Sequence, residues 1–175
     1  EKGKTYLRAV ATDGHRLARY ETQAPKGAAE IPGIIVPRKT VNEVRKLLED
    51  IEDAVEISVS ETKIKFSLGS VTLTSKLIDG TFPEYQRVIP SGNDKALEVV
   101  CDELKEAVDR VSTVSTEKSR AVKLNLEKGK LTLSVVSPEA GTATEEILID
   151  YKSAPIEIGF NARYLLDIAG QLEGE

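Results

Sequence analysis

Val122-Lys123-Leu124-Asn125-Leu126-Glu127-Lys128-Gly129-Lys130-Leu131-Thr132-Leu133-Ser134-Val135 is the stretch that decides the fold of this chain. Apolar and polar residues alternate over Val122, Leu124 and Leu126, stop at Glu127-Lys128-Gly129, and resume over Leu131, Leu133 and Val135. Successive side chains of a strand point to opposite faces, so this spacing puts every apolar residue on one side. A glycine-containing turn between two such runs reads as a hairpin. The pattern recurs over Val55, Ile57 and Val59, and over Ile64, Phe66 and Leu68 after a turn at Glu61-Thr62. It recurs again over Val71, Leu73 and Ser75, and Ile147, Ile149 and Tyr151 suggest a further strand. These are antiparallel hairpins, each with one buried face.

Three stretches switch to helical spacing. Val41, Val44, Leu47, Leu48 and Ile51 share one side after Pro37, with Lys39, Asn42 and Lys46 opposite. Cys101, Leu104, Ala107, Val108 and Val111 form a second stripe, and Tyr164, Leu165, Ile168, Ala169 and Leu172 a third. Strand runs with helices between them, and no regular βαβ alternation, give an α+β class.

The chain also repeats itself loosely. Lys2-Gly3-Lys4 followed by Leu7 and Val10 resembles Lys128-Gly129-Lys130 followed by Leu133 and Val136. Ile34-Ile35-Val36-Pro37 leads into one helix as Ile156-Glu157-Ile158-Gly159 leads into another. The offsets, about 122 to 126 residues, are the size of a domain. The cluster of turn formers at Ile89-Pro90-Ser91-Gly92-Asn93-Asp94 marks the joint, so two domains are expected, 1–90 and 91–175. On this reading the first copy is cut at its front and the second at its back.

With 175 residues, 40% of them apolar and 30% charged, the composition is that of an ordinary globular protein. No apolar run approaches the roughly 18 residues of a membrane span, no targeting peptide is visible, and no membrane partner is expected. The lone Cys101 cannot form an internal disulfide, so a reducing cytoplasm is the default location and packing its expected role. Charge is uneven. Residues 1–90 carry 14 Lys/Arg against 13 Asp/Glu, whereas 91–175 carry 10 against 16. A protein that holds nucleic acid by charge alone is normally basic, so any DNA role here rests on local charge or on something other than electrostatic affinity.

A single histidine and a single cysteine exclude multi-histidine and cysteine-rich metal sites, and no cofactor is expected. Gly129-Lys130 lacks the glycine-rich lead of a phosphate loop, and no serine stands in a nucleophile-elbow context. Glu145, Glu146 and Asp150 alternate with apolar residues, as on a solvated strand face. That leaves Ala11-Thr12-Asp13-Gly14-His15-Arg16-Leu17-Ala18, which ends the strand-like run Thr5 to Val10 with a turn-forming Asp-Gly pair. Asp13 and His15 are either fragments of a small hydrolytic site, or the turn presents Leu17 as a wall of a binding groove. A catalytic histidine needs an orienting partner and a nucleophile or metal within reach. The sequence offers only Asp13, whose plainer task is in the turn, and no catalytic residue is assigned.

Ala11 to Ala18 (ATDGHRLA), Ile35 to Lys39 (IVPRK) and Ser75 to Pro90 (SKLIDGTFPEYQRVIP) together resemble the bacterial beta sliding clamps, processivity factors of the replicative DNA polymerase. Cys101-Asp102-Glu103-Leu104-Lys105, Pro138-Glu139, Glu145-Glu146-Ile147-Leu148 and Ile158-Gly159-Phe160-Asn161 extend the resemblance over nearly the whole chain. It implies a DNA-clamp fold of repeated domains, antiparallel sheets with helices lining one face. Residues 1–90 would be most of a middle domain and 91–175 most of a last one. A first domain, the middle domain's first helix and the final strands would be absent, so this piece should not close the usual two-chain ring.

The resemblance also implies sites. A groove for short peptides of polymerases, the clamp loader and repair proteins would use Thr12, Gly14, His15, Arg16, Leu17, Pro83, Arg87 and Val88, with Leu17, Pro83 and Val88 as apolar floor and the two arginines at its rim. Helices at 38–50, 101–114 and 161–172 would line the hole around double-stranded DNA, with Arg38 and Lys39 facing it and Lys46 joining them. Asp102, Glu106 and Asp109 make the second helix acidic instead, which suits a ring that holds DNA by topology. Thr113, Val114, Glu145 and Glu146 would belong to the homodimer interface that closes the ring. The implied function is a non-enzymatic sliding clamp within a DNA-directed DNA polymerase assembly. A free-standing peptide-binding scaffold without DNA is the alternative.

Overall fold

Most of the alternating apolar runs become antiparallel sheet in the computed structural model, which describes residues 5–28, 31–49, 53–116 and 120–172. The chain divides into two units, Glu1–Ile89 and Pro90–Glu175.

The first unit begins with β1 (Tyr6–Thr12) and β2 (Leu17–Gln23), a two-stranded ribbon in register from Tyr6↔Gln23 to Thr12↔Leu17. Helix α1 (Arg38–Leu48) follows, then β3 (Glu56–Val59), β4 (Lys63–Leu68) and β5 (Val71–Lys76), a three-stranded sheet with β4 in the middle. The central strand supplies the core. Ile64, Phe66 and Leu68 point to one face and bury against Val44 of α1, with Ile34, Val36, Leu47 and Leu73 around them. Thr40 on the helix meets Ser75 on β5, hydroxyl to hydroxyl at 2.6 Å, which satisfies both polar groups where they are partly buried.

The packed side of α1 is therefore Thr40, Val44 and Leu47, a narrower stripe than the one expected. Val41 and Leu48, assigned to it from spacing, are exposed, Val41 by 51%. A 100° step per residue puts positions 41 and 48 on the flank of the stripe, and the small sheet beneath covers only its centre. Ile51 lies outside the described residues, as does Lys2-Gly3-Lys4.

The second unit holds α2 (Cys101–Ser112), β6 (Ala121–Glu127), β7 (Lys130–Ser137), β8 (Gly141–Leu148), β9 (Ile156–Asn161) and α3 (Ala162–Ala169). Its four strands are ordered β8-β7-β6-β9, all antiparallel, so β9 returns past two strands to pair with β6. Val122, Leu124, Leu126, Leu131, Leu133 and Val135 form the covered face, beneath Ala107, Val108 and Val111 of α2. Gly129 makes the tight β6–β7 turn at φ +78°, a region that favours glycine. Its N–H donates to the Tyr151 carbonyl (3.2 Å) and its carbonyl accepts from Ile149 (3.1 Å), which draws the end of β8 alongside the turn. Tyr151 is fully buried with its hydroxyl donating to the Ala154 carbonyl at 2.6 Å.

Two expectations change here. The third helical stripe packs through Ala162, Leu165 and Leu166, while Ile168 and Leu172 are exposed. And β8 starts at Gly141 and ends at Leu148, so Ile149 and Tyr151 are buried just beyond the strand. Cys101, half-buried at the start of α2, directs its thiol to the Ala169 carbonyl at the end of α3 (3.6 Å). In each unit an antiparallel pair, β1–β2 or β7–β8, precedes a helix, α1 or α3, in chain order.

Candidate functional site

The ribbon β1–β2 is built around its tip. Asp13 uses its carboxylate on the turn itself: Oδ1 accepts from the backbone N–H groups of His15 and Arg16, each at 3.0 Å, and Oδ2 from Arg16 Nε at 3.2 Å. Those N–H bonds hold the Asp13 carboxyl below the ordinary aspartate range, the His15 one most strongly. Thr12 Oγ1 donates to the Arg16 carbonyl (2.8 Å) and accepts from Gly14 N–H (3.2 Å), while Gly14 sits at φ +83°. A side chain at position 14 would strain this turn. Five consecutive residues, Thr12 to Arg16, thus lock one another, and Leu17 emerges half-buried directly opposite Thr12. A carboxylate already committed to two amides and a guanidinium argues against the hydrolytic reading of Asp13 and His15.

Strand geometry then sorts the ribbon's faces. Residues directly opposite in a ladder share a side, and so do residues two apart. Arg8, Val10 and Thr12 of β1 therefore lie on the same face as Glu21, Arg19 and Leu17 of β2. Across this face Arg8 Nε donates to Glu21 Oε2 (2.7 Å) and Arg8 Nη1 to the Tyr85 hydroxyl (2.8 Å). Tyr85 opens a 3-10 turn, Tyr85–Arg87, in the stretch that holds Pro83, Arg87 and Val88. The Tyr85 N–H bonds the Pro83 carbonyl (2.7 Å) and the Val88 N–H bonds the Tyr85 carbonyl (3.1 Å).

Tyr85 of the second motif segment thus meets Arg8, on the ribbon face that carries Thr12 and Leu17 but at its other end, with Val10 half-buried between. Side chains three apart eclipse in a 3-10 turn, so Val88 follows the side of Tyr85, yet Val88 is 68% exposed. Arg87 pairs with Glu84 one turn back and is itself exposed. Arg8, Glu21 and Tyr85 were not singled out from sequence. The available signal was position: Arg8 is four residues before Thr12, on the same strand face.

Arg38, Lys39 and Lys46 lie on the exposed side of α1, together with Arg45, with Lys46 near Glu43 (3.4 Å). The first turn of α1 holds no acidic residue, and its N-cap is Pro37, with no side-chain cap bond. Two cations at the positive end of a helix dipole are a locally unfavourable arrangement.

In the second unit, Glu145 and Glu146 point to opposite faces of β8. Glu146 is outward and pairs with Lys130 (2.9 Å). Glu145 is not on the solvated face expected for it: it stands half-buried on the covered side, where Arg110 of α2 grips it (2.6 Å). The two carboxylates cannot act as a catalytic pair. Thr113 is exposed at the C-terminal cap of α2, its hydroxyl on the Arg110 carbonyl (2.8 Å), and Val114 packs partly against the core. Among the described residues no three His, Cys, Asp or Glu side chains converge as a metal site, and no helix is long and apolar enough to cross a membrane.

A ribbon with an amide-locked tip, crossed by a second segment and set in an antiparallel α+β frame, matches the beta clamp fold. The family model for the DNA polymerase III beta subunit central domain matches residues 1–84, and that for its C-terminal domain residues 86–175. The chain is 57% identical over 174 residues to the beta sliding clamp of Caulobacter vibrioides, covering 99% of this chain and 47% of that protein. It is 40% identical over 171 residues to the beta sliding clamp of Escherichia coli, covering 97% and 46%.

Among solved structures, the Bartonella birtlesii sliding clamp bound to griselimycin superposes with a TM-score of 0.93 at 58% identity, over 97% of this chain and 46% of that one. The Caulobacter crescentus sliding clamp superposes at 0.92 and 56%, over 99% and 46%. The chain belongs to the DNA polymerase III beta subunit family, the beta sliding clamps. It spans about half the length of the curated relatives it matches.

Proposed function

We propose that this chain is the part of a DNA sliding clamp that takes partner peptides, in a full-length protein that encircles duplex DNA as a homodimeric ring. The observation that carries this reading is the single ribbon face on which Thr12 and Leu17 stand at one end and Tyr85, bearing Pro83 and Val88, docks at the other. Exposed apolar side chains on a frame locked by hydrogen bonds are what a short apolar peptide needs. Burying one leucine or phenylalanine there is worth about 1.5–3 kcal/mol before ordering costs. Arg16 and Arg87 flank the apolar residues and contribute orientation more than affinity. The griselimycin-bound relative supports a ligand site on this fold.

Arg38, Lys39 and Lys46 face the DNA, which a ring retains by topology without strong phosphate contacts. Thr113, Val114 and the edge strand β8 that carries Glu145 and Glu146 belong to ring closure. The clamp catalyses nothing itself. It tethers the replicative polymerase, the clamp loader and repair proteins through their peptides, so that each dissociation becomes a local rebinding at high effective concentration. Such a protein works inside the cell, in the cytoplasm where the chromosome is copied.

The test is fluorescence anisotropy of a labelled Gln-Leu-x-Leu-Phe peptide, on this chain and on a chain of the relatives' full length carrying it, each with Leu17→Ala as control. Saturable binding that Leu17→Ala removes supports the groove. Absence of binding to both chains overturns it. A complete ring that is not retained on closed circular duplex DNA would leave a peptide-binding scaffold without a DNA role.

A further inference from the structure

The hydrogen bonds around Arg8 reach further than the ribbon. Arg8 stands directly opposite Glu21 in the β1–β2 register, and the Glu21 carboxylate takes its Nε at 2.7 Å. A guanidinium is planar, so fixing one edge aims the other. The aimed edge is Nη1, which meets the Tyr85 hydroxyl at 2.8 Å, 77 residues away in sequence. Tyr85 is less exposed than every other residue from Thr81 to Pro90. Its backbone is also the hub of that segment, bonded to Pro83 on one side and Val88 on the other. Neither Pro83 nor Val88 belongs to the buried core of its unit, and both are exposed.

We propose that Arg8, held by Glu21, is a positioning residue for the peptide groove: through the Tyr85 hydroxyl it sets where Pro83 and Val88 stand relative to Leu17. The role rests on the groove reading given above. Arg8 and Glu21 lie two strand pairs from Thr12 and Leu17 on the same face, a distance of about 13 Å at a strand rise of about 3.3 Å per residue. That separation suits an extended peptide of a few residues laid between the two anchors. The triad touches no peptide itself; it acts by pre-organisation, lowering the ordering cost that an unfixed 83–88 segment would charge to each binding event.

The experiment compares wild type with Tyr85→Phe, Arg8→Lys, the double variant and Leu17→Ala, using the same labelled Gln-Leu-x-Leu-Phe peptide on the full-length protein. Tyr85→Phe keeps the ring and removes the acceptor; Arg8→Lys keeps the charge and removes the fork. Each is expected to weaken binding about three- to tenfold, and the double variant no more than either single one, because both break one chain of contacts. The Val88 methyl resonances should shift in both variants while those of the core residue Leu68 stay in place, a signature that general destabilisation would not leave. Wild-type affinity in Tyr85→Phe, with binding lost in Leu17→Ala, overturns the positioning role and leaves the groove standing. Losses that multiply in the double variant also overturn it, since the two residues would then act independently. A wild type that does not bind, or a Leu17→Ala that binds normally, removes the groove and the positioning role with it.

Discussion

Arg110 and Glu145 meet as a fork on a carboxylate, Nη2 to Oε1 at 2.6 Å and Nε to Oε2 at 3.1 Å, joining α2 to the edge strand β8. Glu106, one helical turn before Arg110, takes the remaining Nη1 at 3.1 Å. The pair lies on the covered side of the sheet, so the carboxylate proposed for ring closure already has a partner within its own unit.

That pairing has a titration signature. The Arg110 hydrogen bonds hold Glu145 below the ordinary glutamate range, while partial burial pushes the other way. A lowered carboxyl stabilises the fold fully above the ordinary glutamate range and ceases to as pH falls through its depressed value. The Glu145 carboxyl carbon, followed by NMR, should titrate below the exposed glutamates. In Arg110→Ala it should move up to or above them, because only burial then acts. No movement in that variant would show that the fork is not formed in solution.

Asp13 gives a second acid-sensitive point, at the ribbon tip. Its carboxyl is lowered by the His15 and Arg16 amides, so the turn is complete above the ordinary aspartate range and loosens as pH falls through the depressed value. Asp13→Ala should reproduce that loosening at neutral pH. The His15 and Arg16 amides would exchange faster with solvent, and peptide binding would weaken several-fold while the far ribbon end kept its protection. Unchanged exchange at both amides would count against the locked turn.

Charge at the start of α1 separates structural from functional roles. Arg38→Glu with Lys39→Glu exchanges cations for anions where the helix dipole favours anions. The thermal midpoint should hold or rise, whereas loading of a complete ring onto nicked circular duplex DNA should slow, because the lost cations attract phosphate at encounter. A fall in midpoint with an unchanged loading rate would reverse the assignment.

Core and groove should respond oppositely to truncation. Leu133 is fully buried, and Leu133→Ala should cost about 2–5 kcal/mol in chemical denaturation of the second unit. Val88→Ala, at an exposed position, should stay within about 0.5 kcal/mol of wild type yet weaken the peptide. Comparable destabilisation by both would mean that Val88 is packed rather than presented.

The stretches legible in sequence are those where one face meets one core. β6, β7 and the α2 stripe follow the alternation and the helical spacing because the sheet spans the full width of the helix above it. For α1 and α3 the apolar stripe is wider than the packed face, since periodicity reports which residues are apolar but not how much surface lies opposite to cover them. β2 carries no such signal: Arg19-Tyr20-Glu21-Thr22-Gln23 has no alternation, and its pairing with β1 comes from the locked turn before it. The site was legible as two motif segments. What joins them, Arg8 to Tyr85, is a contact 77 residues apart that no local pattern encodes.

Asn161 ends β9, paired with Ala121, and is also the cap of α3, its Oδ1 accepting from Arg163 N–H at 3.0 Å. The next residue, Ala162, donates its own N–H to the Arg120 carbonyl at 2.8 Å. Strand and helix therefore join with no spacer, and the rotational setting of α3 is counted off from the sheet ladder. One inserted residue at this junction would turn the whole helix by about 100°, swinging Leu165 and Leu166 off the core and exchanging the surface it presents. The junction acts as an index mark: it can accept changes of side chain, but not of length.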